Sequence, residues 1–338
     1  MRYRIPTLTI SALLWALIAL LAASQAGARD EPGAAPLEVV VTIGMLGDLV
    51  EQVGGPCVRT TTLMGPGVDP HLYRASARDV QRLQRADVIL YAGYALEGQL
   101  GDVLARFARL KPTLAVAEAA VARDDLIEVG GAYGVDPHLW MDVRLWSRTV
   151  PRIAALLGEQ RPDCAADIRA RADASMAQLA ALHTWVAEAI ETIPTGQRVL
   201  ITAHDAFNYL GRAYGIEVIG IQGTSTESQA GIADIRRMAG LIAERQVPAV
   251  FVETTINPRT IQAVIEAAAD QGQAVRIGGQ LYSDAMGEDG TAGGTYVGMI
   301  HENTTHIVEA LGGRLPPLPA ALHDWAERWG IADDEAES

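Results

Sequence analysis

The chain has 338 residues, a length that suggests about two domains, and 49% of them are hydrophobic, enough for a sizeable core. Its formal charge is −14, from 41 acidic and 27 basic side chains. No basic stripe interrupts that balance, which excludes nucleic acid as a partner, because phosphate binding needs clustered Lys and Arg.

In chain order the first element is a leader. Arg2 and Arg4 precede an apolar run from Ile10 to Ala23, broken by Ser11, and Ala26-Gly27-Ala28 offers a small-residue cleavage site. This is the layout of a secretory signal peptide over residues 1–28, which lies outside the fold proper. The run is short for a spanning helix, which needs roughly 20 residues. No cysteine stands at its end, so the expectation is an exported, periplasmic protein with no lipid anchor. Residues 29–36, polar and rich in Pro and Gly, read as a flexible mature N-terminus.

From there strands and helices alternate. The stretch Glu38 to Ile43 ("EVVVTI") reads as a buried strand and Met45 to Val53 as a helix. A strand from Val58 to Leu63 and a helix from Ser76 to Arg85 follow, with Ser76 placed to cap and Asp79 three residues on. Asp87 to Ala92 is the next strand and Glu97 to Leu110 the next helix. Such alternation implies a mostly parallel sheet covered on both faces, here an N-terminal α/β lobe over 37–161.

Pro162 to Ile193 contains no internal Pro or Gly, and Ile168, Ala172, Met176, Leu179, Leu182, Val186 and Ile190 fall at helical spacing. One long helix over 162–193 is expected to join the lobes. A C-terminal α/β lobe over 194–330 repeats the first rhythm. Its expected strands are Arg198 to Thr202, Glu217 to Ile221, Ala249 to Val252 and Ala274 to Ile277; its helices are Ala206 to Tyr214, Ile232 to Arg245 and Arg259 to Gln271. Residues 331–338 form an acidic tail. The two cysteines, Cys57 and Cys164, sit in neighbourhoods with no common pattern, and the expectation is two unbridged thiols.

The chemistry-bearing pattern is a repeat. Val68-Asp69-Pro70-His71-Leu72-Tyr73 returns as Val135-Asp136-Pro137-His138-Leu139-Trp140. A histidine fixed after a proline sits at a chosen place on a stiff turn, and two such turns suggest one target. His204 follows directly on the strand "RVLIT", and Asp284 lies in the loop "GGQLYSDAMGEDGTAGGTY". Groups at the carboxyl ends of strands face the ligand crevice of an open α/β sheet. Three imidazoles and one carboxylate suit a borderline divalent transition metal, whereas calcium and magnesium want oxygen shells. Asp289 competes locally with Asp284. His183, His301, His306 and His323 read as structural or solvated. Candidate partners for the imidazoles are Asp69, Asp136, Asp142, Asp205 and Glu253, with Asp69 and Asp136 assigned to stabilising their own turns.

The motifs "TIGMLGDLVEQVGG", "LMGPGVDPHLYRASARDVQRL", "DPHLWMDV", "ITAHDAFNYLGRAYGIEV" and "GGQLYSDAMG...GGTYVGMIHENTTHIVEAL" resemble the zinc/manganese solute-binding proteins of ABC importers, in the TroA-like group, over about residues 38–312. The resemblance implies two α/β lobes joined by one long helix. It also implies metal ligands at His71, His138, His204 and Asp284, Zn²⁺ or Mn²⁺ as the transported ligand, and a membrane permease with its cytoplasmic ATPase as partners. A monomer without enzymatic activity is expected. His204 stands where many manganese-specific relatives carry Glu, which leans toward zinc, since Mn²⁺ is the weak end of the affinity series. Residues 111–137 hold no histidine and five acids, which lacks the His-rich loop of many zinc-specific relatives. The alternative is a secreted zinc-dependent hydrolase, against which stands the absence of an H-E-x-x-H motif. A dinucleotide module is excluded because no G-x-G-x-x-G follows a strand.

Overall fold

The computed structural model describes residues 35–130 and 134–331. The leader, most of the mature N-terminus and nearly all of the acidic tail therefore lie outside the described residues. No helix among the described residues is long and apolar enough to cross a membrane.

The first half opens with β1 (Leu37–Ile43), α1 (Gly44–Gly54), β2 (Val58–Met64), α2 (Ala77–Arg85) and β3 (Val88–Tyr91). It continues with α3 (Leu100–Phe107), β4 (Thr113–Ala115), α4 (Val116–Ala120), α5 (Val143–Ser147) and α6 (Val150–Gln160). The four strands form one parallel sheet in the order β2-β1-β3-β4. The run "VVVTI" is buried along nearly its whole length, as a strand covered on both faces requires. Ser76 caps α2 as its sequence position suggests: its hydroxyl accepts from Asp79 N–H, and Asp79 answers to the Ser76 backbone.

A single 3₁₀ turn at Pro162–Cys164 leads into the linking helix α7 (Ala165–Glu191), which at 1.5 Å per residue is about 40 Å long. Ile168, Ala172, Leu179, Leu182, Val186 and Ile190 are buried along it, which is the stripe expected from the spacing. Cys57 and Cys164 were expected to be unbridged thiols, and this expectation fails. Cys57 and Cys164 form a disulfide across a Cα–Cα distance of 6.4 Å, between the turn after α1 and the start of α7. Arginines bring the two segments together: Arg161 Nη1 donates to the Cys57 carbonyl, and Arg171 donates to the carbonyls of Val53 and Gly54.

The second half holds β5 (Val199–Thr202), α8 (Asn208–Tyr214), β6 (Glu217–Gly220), α9 (Ile232–Arg245), β7 (Ala249–Glu253), α10 (Arg259–Ala269), β8 (Arg276–Leu281), α11 (Tyr296–Ala310) and α12 (His323–Trp329). Its strands pair in two parallel ribbons, β5 with β6 and β7 with β8, with β5 and β7 side by side. The last strand begins and ends later than the apolar residues suggest. Gly278 and Gly279 lie inside it, because a Cβ at Gly278 would stand 2.7 Å from Ala310 and Phe251, and one at Gly279 2.9 Å from His306. The absent side chains let α11 pack against β8.

The lobes do not keep separate cores. The larger apolar cluster runs from β1 and α1 through α7 into Phe251, Leu281, Tyr296 and Ile300 of the second half. A smaller cluster lies within the second lobe, between β5, β7, α9 and α10.

Candidate metal centre

His71 and His138 are carried by the two Asp-Pro-His turns, and the same bond builds both. Asp69 Oδ1 accepts the His71 backbone N–H at 2.9 Å, and Asp136 Oδ1 accepts the His138 N–H at 3.0 Å. The proline fixes one dihedral, and the aspartate side chain fixes the next residue by closing a local turn. His204 stands two residues beyond β5, and Asp284 three beyond β8, both at carboxyl ends of strands. The four residues come from both lobes, and all are buried.

One ligand atom from each, together, lies within 4.8 Å of all the others. His71 Nε2 is 3.3 Å from His138 Nε2 and 3.8 Å from Asp284 Oδ2. His138 Nε2 is 3.1 Å from Asp284 Oδ1, and His204 Nε2 is 3.2 Å from Asp284 Oδ2. A tetrahedral shell with ligands at 2.0–2.2 Å has edges of about 3.4 Å, so the donors already stand at coordination spacing. The electrostatics point the same way. His204 Nε2 and both Asp284 oxygens are buried without a satisfying hydrogen bond, and such groups are costly unless something binds them.

The far side of two rings is held by carboxylates. His138 Nδ1 pairs with Asp136 Oδ1 at 2.7 Å, and His204 Nδ1 with Glu253 Oε2 at 2.5 Å. Glu253 Oε1 also accepts the His204 backbone N–H. Those pairs turn Nε2 of each ring toward the common point. The turn-only role assigned to Asp136 is therefore too small: the one carboxylate holds both the turn and the ring. Asp69 keeps its turn role. Asp142 instead caps α5 by accepting Leu145 N–H, and Asp205 accepts Gly220 N–H. Asp289 stands apart from the cluster, on an interlobe cavity of about 480 Å³ that Asp48 and Glu51 also line.

Burial alone would push every imidazole down. For His71 it wins, and the ring falls to about 4 despite the Asp284 carboxylate. At His138 burial is overcome by Asp136 and then Asp284, which hold the ring up at about 9. At His204 burial is overcome by Glu253 and Asp284, and the ring rises well above its usual value. Asp284, which burial would raise, is drawn well below the carboxylate range by His204 and His138.

Trp140, which follows His138 by two residues, reaches across the cleft. Its Nε1–H donates to the Ser283 carbonyl at 2.8 Å, and its own carbonyl accepts Tyr296 O–H at 2.6 Å. Sequence gave no sign of this beyond the aromatic at the end of each repeated turn. The remaining histidines lie elsewhere, as expected: His183 meets Tyr214 O–H, His301 stacks on Trp185, and His306 and His323 meet the carbonyls of Gln280 and Leu318.

A family profile described as the periplasmic zinc-uptake complex component A, ZnuA, matches residues 39–310. The chain is 45% identical over 275 residues to the manganese-binding lipoprotein MntA of Bacillus subtilis, covering 81% of this chain and 90% of that one. It is 42% identical over 285 residues to the zinc-binding protein TroA of Treponema pallidum, covering 84% and 92%. The solved structure of the Treponema protein superposes with a TM-score of 0.80, covering 82% of this chain and all of the other.

Proposed function

This chain belongs to the periplasmic zinc-uptake component A family, and from that premise we propose that His71, His138, His204 and Asp284 bind a divalent transition-metal ion as cargo. The protein is a metal-binding substrate-binding protein of an ABC-type importer and not an enzyme. The observation that carries the site is the convergence of four buried donors, from both lobes, on one point. Two donors from each lobe make the ion a bridge, so binding draws the lobes together. A shared core and a continuous linking helix keep that movement small.

Zn²⁺ and Mn²⁺ both fit the donor set. Relatives named for each metal are similar to this chain at 45% and 42% identity. Three imidazoles favour zinc in affinity, while the two Asp284 oxygens can serve the higher coordination that manganese prefers. We place the mature protein in the periplasm as a monomer, with residues 1–28 removed, delivering to a permease and its cytoplasmic ATPase. The hydrolase alternative loses its base: Glu253, the strand-end carboxylate that could activate water, is occupied by His204.

The test is metal content and thermal stabilisation of the mature protein by zinc and by manganese, beside a His204→Glu variant. A ligand that binds the native state raises apparent stability by RT ln(1 + [L]/Kd). Zinc is expected to stabilise the wild type more than manganese does, and the variant to shift toward manganese. Lack of stabilisation by either metal would remove the four residues as a binding site.

A further inference from the structure

The two Asp-Pro-His turns share a second feature, which concerns the other oxygen of each aspartate. Asp136 Oδ2 accepts Asn208 Nδ2–H at 3.1 Å, and Asp69 Oδ2 accepts Thr226 Oγ1–H at 2.6 Å. Both donors belong to the opposite lobe. Each turn therefore uses one carboxylate oxygen to fix its ligand histidine and the other to grip across the cleft.

The two grips have different footings. Asn208 opens α8, and the next residue, Tyr209, donates its O–H to the Asp136 carbonyl at 2.9 Å. Trp140 and Tyr296 add the buried bonds already described on the same side. Thr226 instead sits in the stretch 221–231, between β6 and α9, which forms no helix or strand. A surface depression of about 330 Å³, lined by Asp69, Leu72, Thr226, Ile256 and Arg259, opens beside its bond to Asp69. Leu72, next to the ligand, is 55% exposed. The first turn thus borders an open depression and is fastened to irregular chain.

We propose that Thr226 is a positioning residue that, through Asp69, holds the His71 ligand across the cleft and sets how long the metal stays bound. This rests on the four-ligand site proposed above. Metal release requires the donors to leave in turn, and the donor whose main chain is least firmly fastened leaves first. A hydroxyl bonded to a carboxylate is a charge-assisted link, stronger than a neutral one. Its loss frees the outer Asp69 oxygen and slackens the His71 turn, while the His138, His204 and Asp284 donors keep their supports.

The experiment uses the full mature protein as wild type, Thr226→Val and Thr226→Ser, loaded with zinc and mixed with excess chelator in a stopped-flow instrument. Thr226→Val is expected to speed zinc release about tenfold or more, the size of effect expected for a lost hydrogen bond to a charged group. Association is expected to change little, and Thr226→Ser, which keeps the hydroxyl, to release close to the wild-type rate. Equal release from wild type and Thr226→Val overturns the proposal, as does a Thr226→Ser variant as fast as Thr226→Val. A wild type that takes up no zinc overturns the site itself, and with it this inference. If Thr226→Val does not fold, Thr226→Ala tests the same bond with a smaller side chain.

Discussion

Neighbouring carboxylates favour the protonated form of two of the three imidazoles at the centre before metal arrives. His138 is held up at about 9 and His204 well above its usual value by those carboxylates, while burial pushes His71 down to about 4. A metal needs unprotonated nitrogen, so binding competes with protons at His138 and His204. The sign follows: affinity falls as pH drops below about 9, and His71 joins the competition only near pH 4. Calorimetry at pH 7 in buffers of different ionisation enthalpy is expected to show net proton release on zinc binding. Release of none would mean that the carboxylates do not hold those protons. At this scale the residues of the four-membered cluster were readable from sequence, because the doubled turn and the strand ends mark them. The partners were less so. Glu253 meets His204 only because β5 and β7 run side by side, a fact of sheet order that residue spacing does not contain. Asp136 was assigned one role because turn chemistry is local, while its second role needs the ring orientation.

Strand β8 shows where element reading fails and why. Glycine normally weakens a strand, so Gly278 and Gly279 read as loop, and the strand was placed too early. In the fold they are the contact surface for α11 and Phe251. Gly278→Ala is expected to destabilise the protein by about 1–3 kcal/mol through overpacking, as measured by urea denaturation. Because Asp284 follows the strand by three residues, the same change should also weaken zinc binding. An alanine variant of wild-type stability would show that the interface has slack. By contrast α2 was legible to its first residue, since Ser76 and Asp79 make a purely local capping box. The short elements β4, α4 and α5 were not read at all; three to five residues carry too little periodicity to register.

The molecule as a whole is fastened by features that a reading in chain order cannot join. Two lobes and a linking helix were legible from alternation and from one long amphipathic run. The core that passes through all three was not, because it depends on which faces meet. Nor was the disulfide, whose cysteines are 107 residues apart and share no motif. A bridge closing a loop of that size restricts the unfolded chain by about 4.7 kcal/mol in the chain-entropy account. The Cys57→Ser/Cys164→Ser double variant is expected to lose about 2–5 kcal/mol in denaturation while keeping its metal affinity. The bridge contacts none of the four donors, so an equal loss of affinity would place it in the binding event.

Trp140 carries a consequence of another kind. Its ring centroid lies 5.3 Å from that of His138, and its N–H is locked to the Ser283 carbonyl. A protonated imidazole at that distance would accept an electron from the excited indole and darken it. Zinc, a closed-shell ion, would expel the proton and leave the indole emitting. Emission from Trp140 is therefore expected to rise as zinc binds, an intrinsic optical gauge of occupancy that needs no dye and no label, and titration of the indole emission with zinc checks it.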